Sequence, residues 1–432
     1  MNILIVYERK NRELENCILL KRHFEKAGYN CTISQFYDGA NFNIFNRVRY
    51  DCIFVPHLYN SAEVLRTIAR FGHCTNIINL QYEQVLSAKW ESLGHHTPSG
   101  YAQYYDHICW GPSTTNRLRL AGIDESKLHT VGALQLDLLR KEYRLGHKLK
   151  KEICTIYDLE FDKPWILFLS SFTYADITPN RLKMNEEVAG TSLSSFVDIH
   201  TASRNKILSW FENALESTPE KIFIYRPHPD ELELRVVKEL EKKYSNFHIL
   251  SEGSAKLWIE ASDQILSWYS TTVVESHFLE KPYSILRPLP LPSDFDSVLL
   301  SKGNFVTSQA EFSKTISKGV DFGTFALTDE DVSDYYLVDE VPTFAKILKI
   351  VEKSINRNKE PSFGFLELFS HRSKSLLVIL LHYFVVRKKG IFNRILLKIS
   401  YFERWEKEIV SQEYSDSEAN DIHSNIVSRE NL

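Results

Sequence analysis

The sequence lacks several signals that would place it in a familiar class. It has six cysteines in 432 residues, none in a CxxC pair, which predicts reduced thiols rather than a disulfide framework or a zinc site. Neither GxGxxG nor GxxxxGK(S/T) occurs, so the usual dinucleotide and P-loop signatures are missing. No loop carries a DxD-type metal signature in a suitable place. If the chain binds a nucleotide, it must do so with other residues.

The sequence also has little net charge and no recognisable targeting signal. There are 52 Lys and Arg residues against 56 Asp and Glu residues, and this balance gives no reason to expect nucleic acid as a partner. The opening stretch, "MNILIVYERK", has neither a basic leader nor a cleavage site, so we expect it to be a strand rather than a signal peptide. The expected location is cytoplasmic.

Apolar runs alternate with helical patterns along most of the chain, which predicts βαβ units and parallel sheets. A continuous run such as "NILIVY" is typical of a strand buried on both faces. Eleven strands are predicted, in two series, at 2–7, 31–36, 51–56, 75–80, 107–111 and 128–132, then at 164–171, 221–227, 247–251, 264–270 and 283–288.

The predicted fold class is therefore α/β, with two Rossmann-like domains facing across a cleft and a helical extension after them. The domains are predicted at 1–150 and 151–345, the extension at 346–405, and a disordered acidic tail at 406–432. Within the extension, residues 371–399 contain seven Lys or Arg residues and no acid. The mostly apolar run inside it is shorter than the ~20 residues that a bilayer span needs. It predicts either a core helix or an amphipathic contact with an anionic membrane surface.

The stretch "YRPHP" (225–229) ends a predicted strand on a cation and a histidine between two prolines. Proline fixes φ and removes a backbone donor, so the loop is stiff and His228 is held in one direction. Arg226 and His228 together suit an anion such as phosphate, to which both donate hydrogen bonds. A structural turn is the alternative.

The stretch "SWYSTTVVESHFLEKP" (267–282) follows another strand of the same series. Ser270, Thr271 and Thr272 stand where a helix begins, and hydroxyls with backbone N–H groups there favour an anion. Glu275 lies one turn further on and suits a ribose or base. An ordinary capped helix start is the alternative. Together the two loops predict a phosphate-and-ribose site on the second domain.

The first domain offers carboxylates at its predicted strand ends. Glu8 and Glu13 follow the first strand, Glu83 follows the fourth, and His57 follows the third. A carboxylate at such a place is a candidate general base, although a single acid there often serves only the helix dipole.

With these residues in view, the chain resembles bacterial surface-carbohydrate biosynthesis proteins of the GT-B glycosyltransferase type. The resemblance spans about residues 1–300 and rests on "ERKNRELE", "CWGP…VGALQLDLLR", "YRPHP" and "STTVVESHFLEKP". The paired loops are similar to the nucleotide sites of bacterial sialyltransferases, capsule Kdo transferases and CDP-glycerol glycerophosphotransferases.

The resemblance implies a role for each candidate residue. His228, Ser270, Thr271 and Thr272 would hold the donor phosphate, Arg226 would add charge and Glu275 would face the ribose. These groups stabilise the departing phosphate without a metal ion, so no metal and no resident cofactor are expected. Glu83 is the first choice for the catalytic carboxylate, and Glu8 and Glu13 are the second.

The predicted function is metal-independent transfer of a sugar from a nucleotide-linked donor, CMP-linked by preference, to an acceptor glycan that could be lipid-linked. The pathway would be capsule, lipopolysaccharide or another surface polysaccharide. Transfer of a polyol phosphate from a CDP-linked donor, a sugar-nucleotide epimerase and a non-catalytic, membrane-associated assembly protein are the alternatives.

Overall fold

The structure is a computed structural model. It describes residues 1–36, 48–72, 74, 76–82, 86–94, 96–231, 234–300, 305–317, 327–354, 361–388, 390–398 and 400–430. Within this part of the chain there are two six-stranded parallel sheets, one in each of two compact units.

The first sheet contains six strands in the order β2-β1-β3-β4-β5-β6. They are β1 (Asn2–Tyr7), β2 (Asn30–Gln35), β3 (Cys52–Val55), β4 (Asn76–Asn79), β5 (Asp106–Cys109) and β6 (Leu128–Thr130). Ile5 pairs with Ile33 on one side and with Phe54 on the other. All three are buried, as expected for parallel strands covered by helices on both faces.

The second sheet has the order β12-β11-β10-β7-β8-β9. Its strands are β7 (Trp165–Leu169), β8 (Ile222–Arg226), β9 (Phe247–Ile249), β10 (Gln264–Ser267), β11 (Tyr283–Leu286) and β12 (Phe305–Val306). All eleven predicted strands are present, and β12 is an addition. A strand of two residues carries too little periodic pattern to be recognised in a sequence.

Eighteen α-helices are found in the described part of the chain. They are α1 (Lys10–Lys26), α2 (Ser61–Phe71), α3 (Ala88–Leu93), α4 (Pro112–Leu120), α5 (Leu134–Asp137), α6 (His147–Tyr157), α7 (Pro179–Ala189), α8 (Ser194–Ser217), α9 (Arg235–Lys243), α10 (Ala255–Ala261), α11 (Val273–Phe278), α12 (Gln309–Ser317), α13 (Asp329–Ser333), α14 (Thr343–Ser354), α15 (Phe365–His382), α16 (Ile391–Leu396), α17 (Ser400–Gln412) and α18 (Asp416–Glu430). None of the helices in these ranges is long and apolar enough to cross a membrane.

The first unit is discontinuous in sequence. It consists of Met1–Gln84, His95–Leu138 and Ser333–Leu432, and the second unit consists of Val85–Gly94 and Leu139–Val332. The chain enters the second unit before residue 150 because Glu260 on α10 accepts a hydrogen bond from the backbone N–H of Gly146 at 2.8 Å. This contact fixes the start of α6 in the second unit.

The chain returns to the first unit at Ser333. The residues that follow pack against two glycines, Gly111 after β5 and Gly132 after β6. A Cβ atom at Gly111 would lie 2.5 Å from the backbone of Tyr335, and one at Gly132 would lie 2.5 Å from the carbonyl oxygen of Leu337. Gly132 also has φ +102°, a conformation that favours glycine. Glycine is therefore required here by the close approach of the chain itself.

The end of the chain differs from the expected disordered tail, because residues 416–430 form α18. Ile426 is 3% exposed, and Lys10 on α1 forms an ion pair with Glu418 at 3.2 Å. An Arg22 guanidinium nitrogen also lies 3.2 Å from His423 Nε2. α18 is thus held to α1 by one ion pair and one contact between Arg22 and His423, and it buries Ile426.

Candidate functional site

The second sheet reverses its strand order between β7 and β10. Strands β8 and β9 extend from β7 in one direction, and β10, β11 and β12 lie in the other. Open parallel sheets bind ligands beyond the carboxyl ends of their strands at such a reversal. The predicted phosphate loops follow β8 and β10, so both belong to this edge.

His228 lies in the loop after β8. Its Nδ1 accepts a hydrogen bond from the backbone N–H of Asp230 at 3.1 Å, so the neutral ring carries its proton on Nε2. The side chain is 42% exposed. The loop therefore holds the neutral imidazole in one tautomer with part of its surface in solvent.

Glu231 holds this loop in place through hydrogen bonds. Its carboxylate lies 2.7 Å from the Tyr225 hydroxyl and accepts a longer hydrogen bond, 3.4 Å, from the backbone N–H of His228. The same hydroxyl lies 2.8 Å from Ser170 Oγ at the end of β7. Burial raises the pKa of Glu231, although hydrogen bonds from Ser170 and Tyr225 oppose the shift. This buried group connects the ends of β7 and β8.

The sequence pattern did not reveal this role. Glu231 follows "YRPHP" but precedes α9, which begins only at Arg235, and it is 5% exposed. The one available signal was an acid three residues after a histidine in a proline-stiffened loop.

Replacing Glu231 with alanine is expected to lower the free energy of unfolding by about 2–4 kcal/mol, because the buried Tyr225 hydroxyl loses one of its two partners and the His228 N–H loses its hydrogen bond to Glu231. Glu231→Gln keeps a carbonyl acceptor and the side-chain shape, and should cost about 1 kcal/mol. Urea unfolding of both variants measures the difference. Equal losses would mean that the hydrogen bonds of Glu231 contribute nothing to the fold.

Arg226 ends β8 and is 8% exposed. Its guanidinium donates to the carbonyl oxygen of Glu252 at 2.8 Å and to that of Gly253. Trp258 on α10 donates to the same Glu252 carbonyl at 2.8 Å. Arg226 therefore holds the loop between β9 and α10, and any charge that it offers to a ligand comes from a guanidinium already bound to two carbonyls.

Three hydroxyls lie between β10 and α11. Ser270 Oγ is 2.8 Å from Thr272 Oγ1 and also accepts from the backbone N–H of Thr272 at 3.3 Å. Thr271 is exposed, and the other two side chains are half-buried. Thr272 is the residue before the first turn of α11 and makes no side-chain capping bond. The hydroxyls of Ser270 and Thr272 are therefore in contact immediately before α11.

Glu275 lies in the first turn of α11. Exclusion of water from its carboxyl raises its pKa to about 7. The group can therefore accept or donate a hydrogen bond near neutral pH, depending on its protonation. Both forms could pair with a ribose hydroxyl.

Arg287 is a cation that sequence analysis missed. It follows β11, is 4% exposed, and donates from Nη2 to Asp296 at 2.7 Å. Its Nε and Nη1 have no hydrogen-bond partner among the residues that the structure describes. The guanidinium lies 6.0 Å from the ring centroid of Tyr269, which follows the neighbouring strand. The signal was a repeated pattern, since "LRP" ends β11 as "YRP" ends β8.

Aromatic rings fill the reversal point between β7 and β10. Phe172 stacks on Trp268 with ring centroids 4.8 Å apart, and His200 on α8 meets Trp268 edge to face at 4.6 Å. His200 is 1% exposed, and neither of its ring nitrogens has a hydrogen-bond partner in the described ranges. Burial lowers the pKa of His200 to about 3. These rings form an apolar cluster in the same unit as the two predicted phosphate loops.

The first sheet has its own reversal point, between β1 and β3. Glu8 follows β1 and His57 follows β3, and their Oε2 and Nε2 atoms are 3.7 Å apart. The side chains are 21% and 19% exposed, respectively. Two candidates that are 49 positions apart are therefore brought together at a partly exposed position.

Glu13 lies differently from the expected catalytic carboxylate. It has no exposed surface, and it accepts hydrogen bonds from the backbone N–H of Glu8 at 2.7 Å and from Arg12 at 2.6 Å. Burial raises its pKa, and the neighbouring Arg12 opposes the shift. Glu13 therefore fixes the loop that carries Glu8, and its role as a base stays a prediction made from sequence.

Glu83 lies outside the described residues, so its assignment stays a prediction. The described residues before it are held tightly. Gln81 has φ 55°, a strained conformation for this residue, and it exchanges hydrogen bonds with Asn79 at 2.7 and 2.9 Å. Strain of this kind at the end of β4 is consistent with a functional loop.

Among the described residues, no group of three or more His, Cys, Asp and Glu side chains could hold a metal ion. The six cysteines are all free thiols.

Comparison with known proteins gives matches in structure only. No protein-family model and no curated protein sequence matches the chain. The structure of the wall teichoic acid polymerase TagF is similar, with a TM-score of 0.51 and 12% identity over 82% of this chain and 89% of the other. A putative UDP-N-acetylglucosamine 2-epimerase from Listeria monocytogenes has a TM-score of 0.51 and 10% identity over 84% and 99%.

A UDP-GlcNAc 2-epimerase from Methanocaldococcus jannaschii, in complex with UDP-GlcNAc and UDP, has a TM-score of 0.50 and 12% identity over 82% and 100% of the two chains. Likenesses at such low identity concern the fold. The chain has a GT-B-like α/β fold of two parallel six-stranded sheets with a helical C-terminal region.

Proposed function

We propose that the protein is a metal-independent glycosyltransferase that takes a sugar from a CMP-linked donor in the biosynthesis of capsule, lipopolysaccharide or another surface polysaccharide. The observation that carries the proposal is the pair of loops at the carboxyl edge of the second sheet. One holds His228 in a fixed tautomer, and the other brings the hydroxyls of Ser270 and Thr272 into contact, with the exposed Thr271 between them in sequence.

In this proposal the donor phosphate binds between those loops. His228 donates from Nε2 to a phosphate oxygen, and the hydroxyls donate to the others, which stabilises charge as the sugar departs. Arg287, beside Tyr269, adds positive charge near the second loop without direct contact to the phosphate, and the guanidinium of Arg226 is already bound to two carbonyls. Glu275 would pair with the ribose.

The acceptor glycan, which we propose is lipid-linked, would bind to the first unit. Glu83 remains the first candidate for the base from sequence. Glu8 is the best supported of the described carboxylates, since it is partly exposed beside His57 and its loop is fixed by Glu13. A cytoplasmic location, with peripheral contact to the inner membrane through residues 371–399, completes the proposal.

Transfer of a polyol phosphate from a CDP-linked donor is the second candidate. The fold likeness to a wall teichoic acid polymerase supports it, because the same two loops could hold a diphosphate. A degenerate, non-catalytic assembly protein is the third candidate, and it would bind no nucleotide.

A thermal-shift panel of CMP, CDP, UDP and GDP tests the donor. At 100 times its dissociation constant, a bound nucleotide adds about 2.7 kcal/mol of stability. For a unit of this size, that corresponds to a rise in melting temperature of roughly 5–10 °C. We expect CMP to give the largest shift. The double variant Ser270→Ala, Thr272→Val should lose most of it while melting normally without ligand.

Each outcome of this panel selects one candidate. A larger shift with CDP than with CMP would favour polyol-phosphate transfer, and a shift only with UDP would favour an epimerase. No shift with any cytidine nucleotide would overturn the proposed donor.

A further inference from the structure

Helix α15 exposes an unusual number of large apolar side chains on the first unit. Phe365 is 81% exposed and Leu366 is 78% exposed. The full set, which we call the α15 stripe, is Phe365, Leu366, Phe369, Leu376, Leu377, Leu380 and Tyr383. A contiguous apolar patch of this kind on a protein surface marks a place of contact with another surface.

The opposite face of the helix fixes its orientation. Ile379 is 5% exposed and joins the core cluster that contains Val64 and Ile68 of α2. Leu368 packs against the same cluster, and Ser375 and His382 are buried on the same side. Since this face is occupied by the first unit, the α15 stripe is a second apolar face rather than part of the core.

The spacing of the stripe is that of a single helix face. At about 100° per residue, its seven members fall within roughly one third of the helix circumference. Ser373 is the only polar residue of the helix in that sector. The stripe extends along most of α15 and reaches Tyr383, one residue beyond the end of the helix.

Basic residues predominate around the stripe. Glu367 is the one acid in residues 365–398, and it lies outside the stripe sector and accepts a hydrogen bond from the Tyr101 hydroxyl at 3.1 Å. Residues 368–398 contain seven Lys or Arg residues and no Asp or Glu. Arg372 and Lys374 are exposed on α15 itself, and Lys388 is exposed just after it. Arg387 is exposed there too and forms an ion pair with Glu413 at 3.2 Å. A second copy of the chain would bring these like charges together across a symmetric interface, which opposes association. An anionic lipid surface complements them instead.

We infer that the α15 stripe inserts into the headgroup region of an anionic membrane, with α15 lying in the membrane plane. This inference refines the contact proposed for residues 371–399, because it adds Phe365, Leu366 and Phe369 and assigns Ile379 to the protein side. It does not depend on the donor or the reaction, so it stands or fails separately from the proposed glycosyl transfer.

Sedimentation with vesicles tests the inference on the full chain. Vesicles of phosphatidylcholine with phosphatidylglycerol should bind the protein, and vesicles of phosphatidylcholine alone should bind it much less. The triple variant Phe365→Gln, Leu366→Gln, Phe369→Gln should reduce binding about tenfold or more, because three inserted apolar side chains are lost.

The chain offers a matched control for this variant. Leu120, Ile156 and Met184 are 89%, 70% and 65% exposed and lie on other helices. Their replacement by glutamine removes similar exposed apolar surface and should leave vesicle binding unchanged. The double variant Arg372→Gln, Lys374→Gln should reduce binding roughly tenfold and weaken its salt dependence.

Three results would overturn the inference. The wild-type protein could fail to bind anionic vesicles, or the α15 triple variant could bind as well as the control variant. Light scattering could also show a dimer that the α15 variant dissociates, in which case the stripe is an interface between copies of the chain.

Discussion

Replacement of His228 with alanine is expected to lower the rate of sugar transfer by about 100-fold or more. Loss of one preorganised donor to a developing negative charge typically costs a factor of 10²–10³ in turnover, and the Asp230 N–H fixes this imidazole with Nε2–H as its donor. Because the side chain is 42% exposed, the fold should tolerate the change, with a loss of stability of about 1 kcal/mol or less.

The measurement is turnover of a CMP-linked donor, together with urea unfolding of the same preparation. His248→Ala provides the comparison, since His248 lies on the neighbouring strand β9 away from the loop. Its removal should leave turnover close to the wild-type value. If the His228 variant kept full activity, the phosphate assignment would be wrong.

The second large effect is expected in acid, where the buried His200 should weaken the second unit. The pKa of His200 is lowered from 6.5 to about 3 by burial. At pH values between about 3 and 6.5, His200 binds a proton in the unfolded chain but not in the folded chain. The contribution of the neutral, buried His200 to stability is therefore fully present above pH 6.5 and falls as the pH decreases. Between pH 7.5 and 4.5 the loss from this residue is about 3 kcal/mol.

His200→Phe removes the titrating group and keeps an aromatic ring against Trp268 and Phe172. Urea unfolding at pH 7.5 and pH 4.5 should therefore show an acid loss smaller by about 3 kcal/mol in the variant than in the wild type. The exposed His147→Phe serves as a control and should behave as the wild type does. An unchanged acid loss in the His200 variant would show that water reaches this imidazole.

The strands were predictable because burial on both faces leaves a continuous apolar run in the sequence. β1 and β8 illustrate this, since "NILIVY" and "IFIYR" each match a strand closely. The boundaries of the two units were harder to predict from the sequence. Contacts such as Glu260 with Gly146 join residues far apart in sequence, and no local pattern reports them.

The same distinction applies to the candidate site. The proline-stiffened loop of His228 and the hydroxyl group at Ser270 follow from local sequence, because turn chemistry and strand ends are local properties. Glu231 and Arg287 were missed because burial decides their roles, and the complete burial of Glu13 was equally invisible in the sequence. A charged residue in a loop is expected to be solvated, and only packing shows which ones are not.

The division of the chain has a consequence for how the protein is made. The first unit needs residues 333–432 as well as 1–84 and 95–138, and in that last segment Gln412 accepts from the backbone N–H of Lys10 at 2.7 Å. On a ribosome, domains fold as their segments emerge. The second unit can therefore complete its sheet before residues 333–432, which the first unit needs, have been synthesised. The first strand synthesised therefore belongs to the last unit to be completed, and the first unit cannot be fully packed until residues 333–432 have emerged.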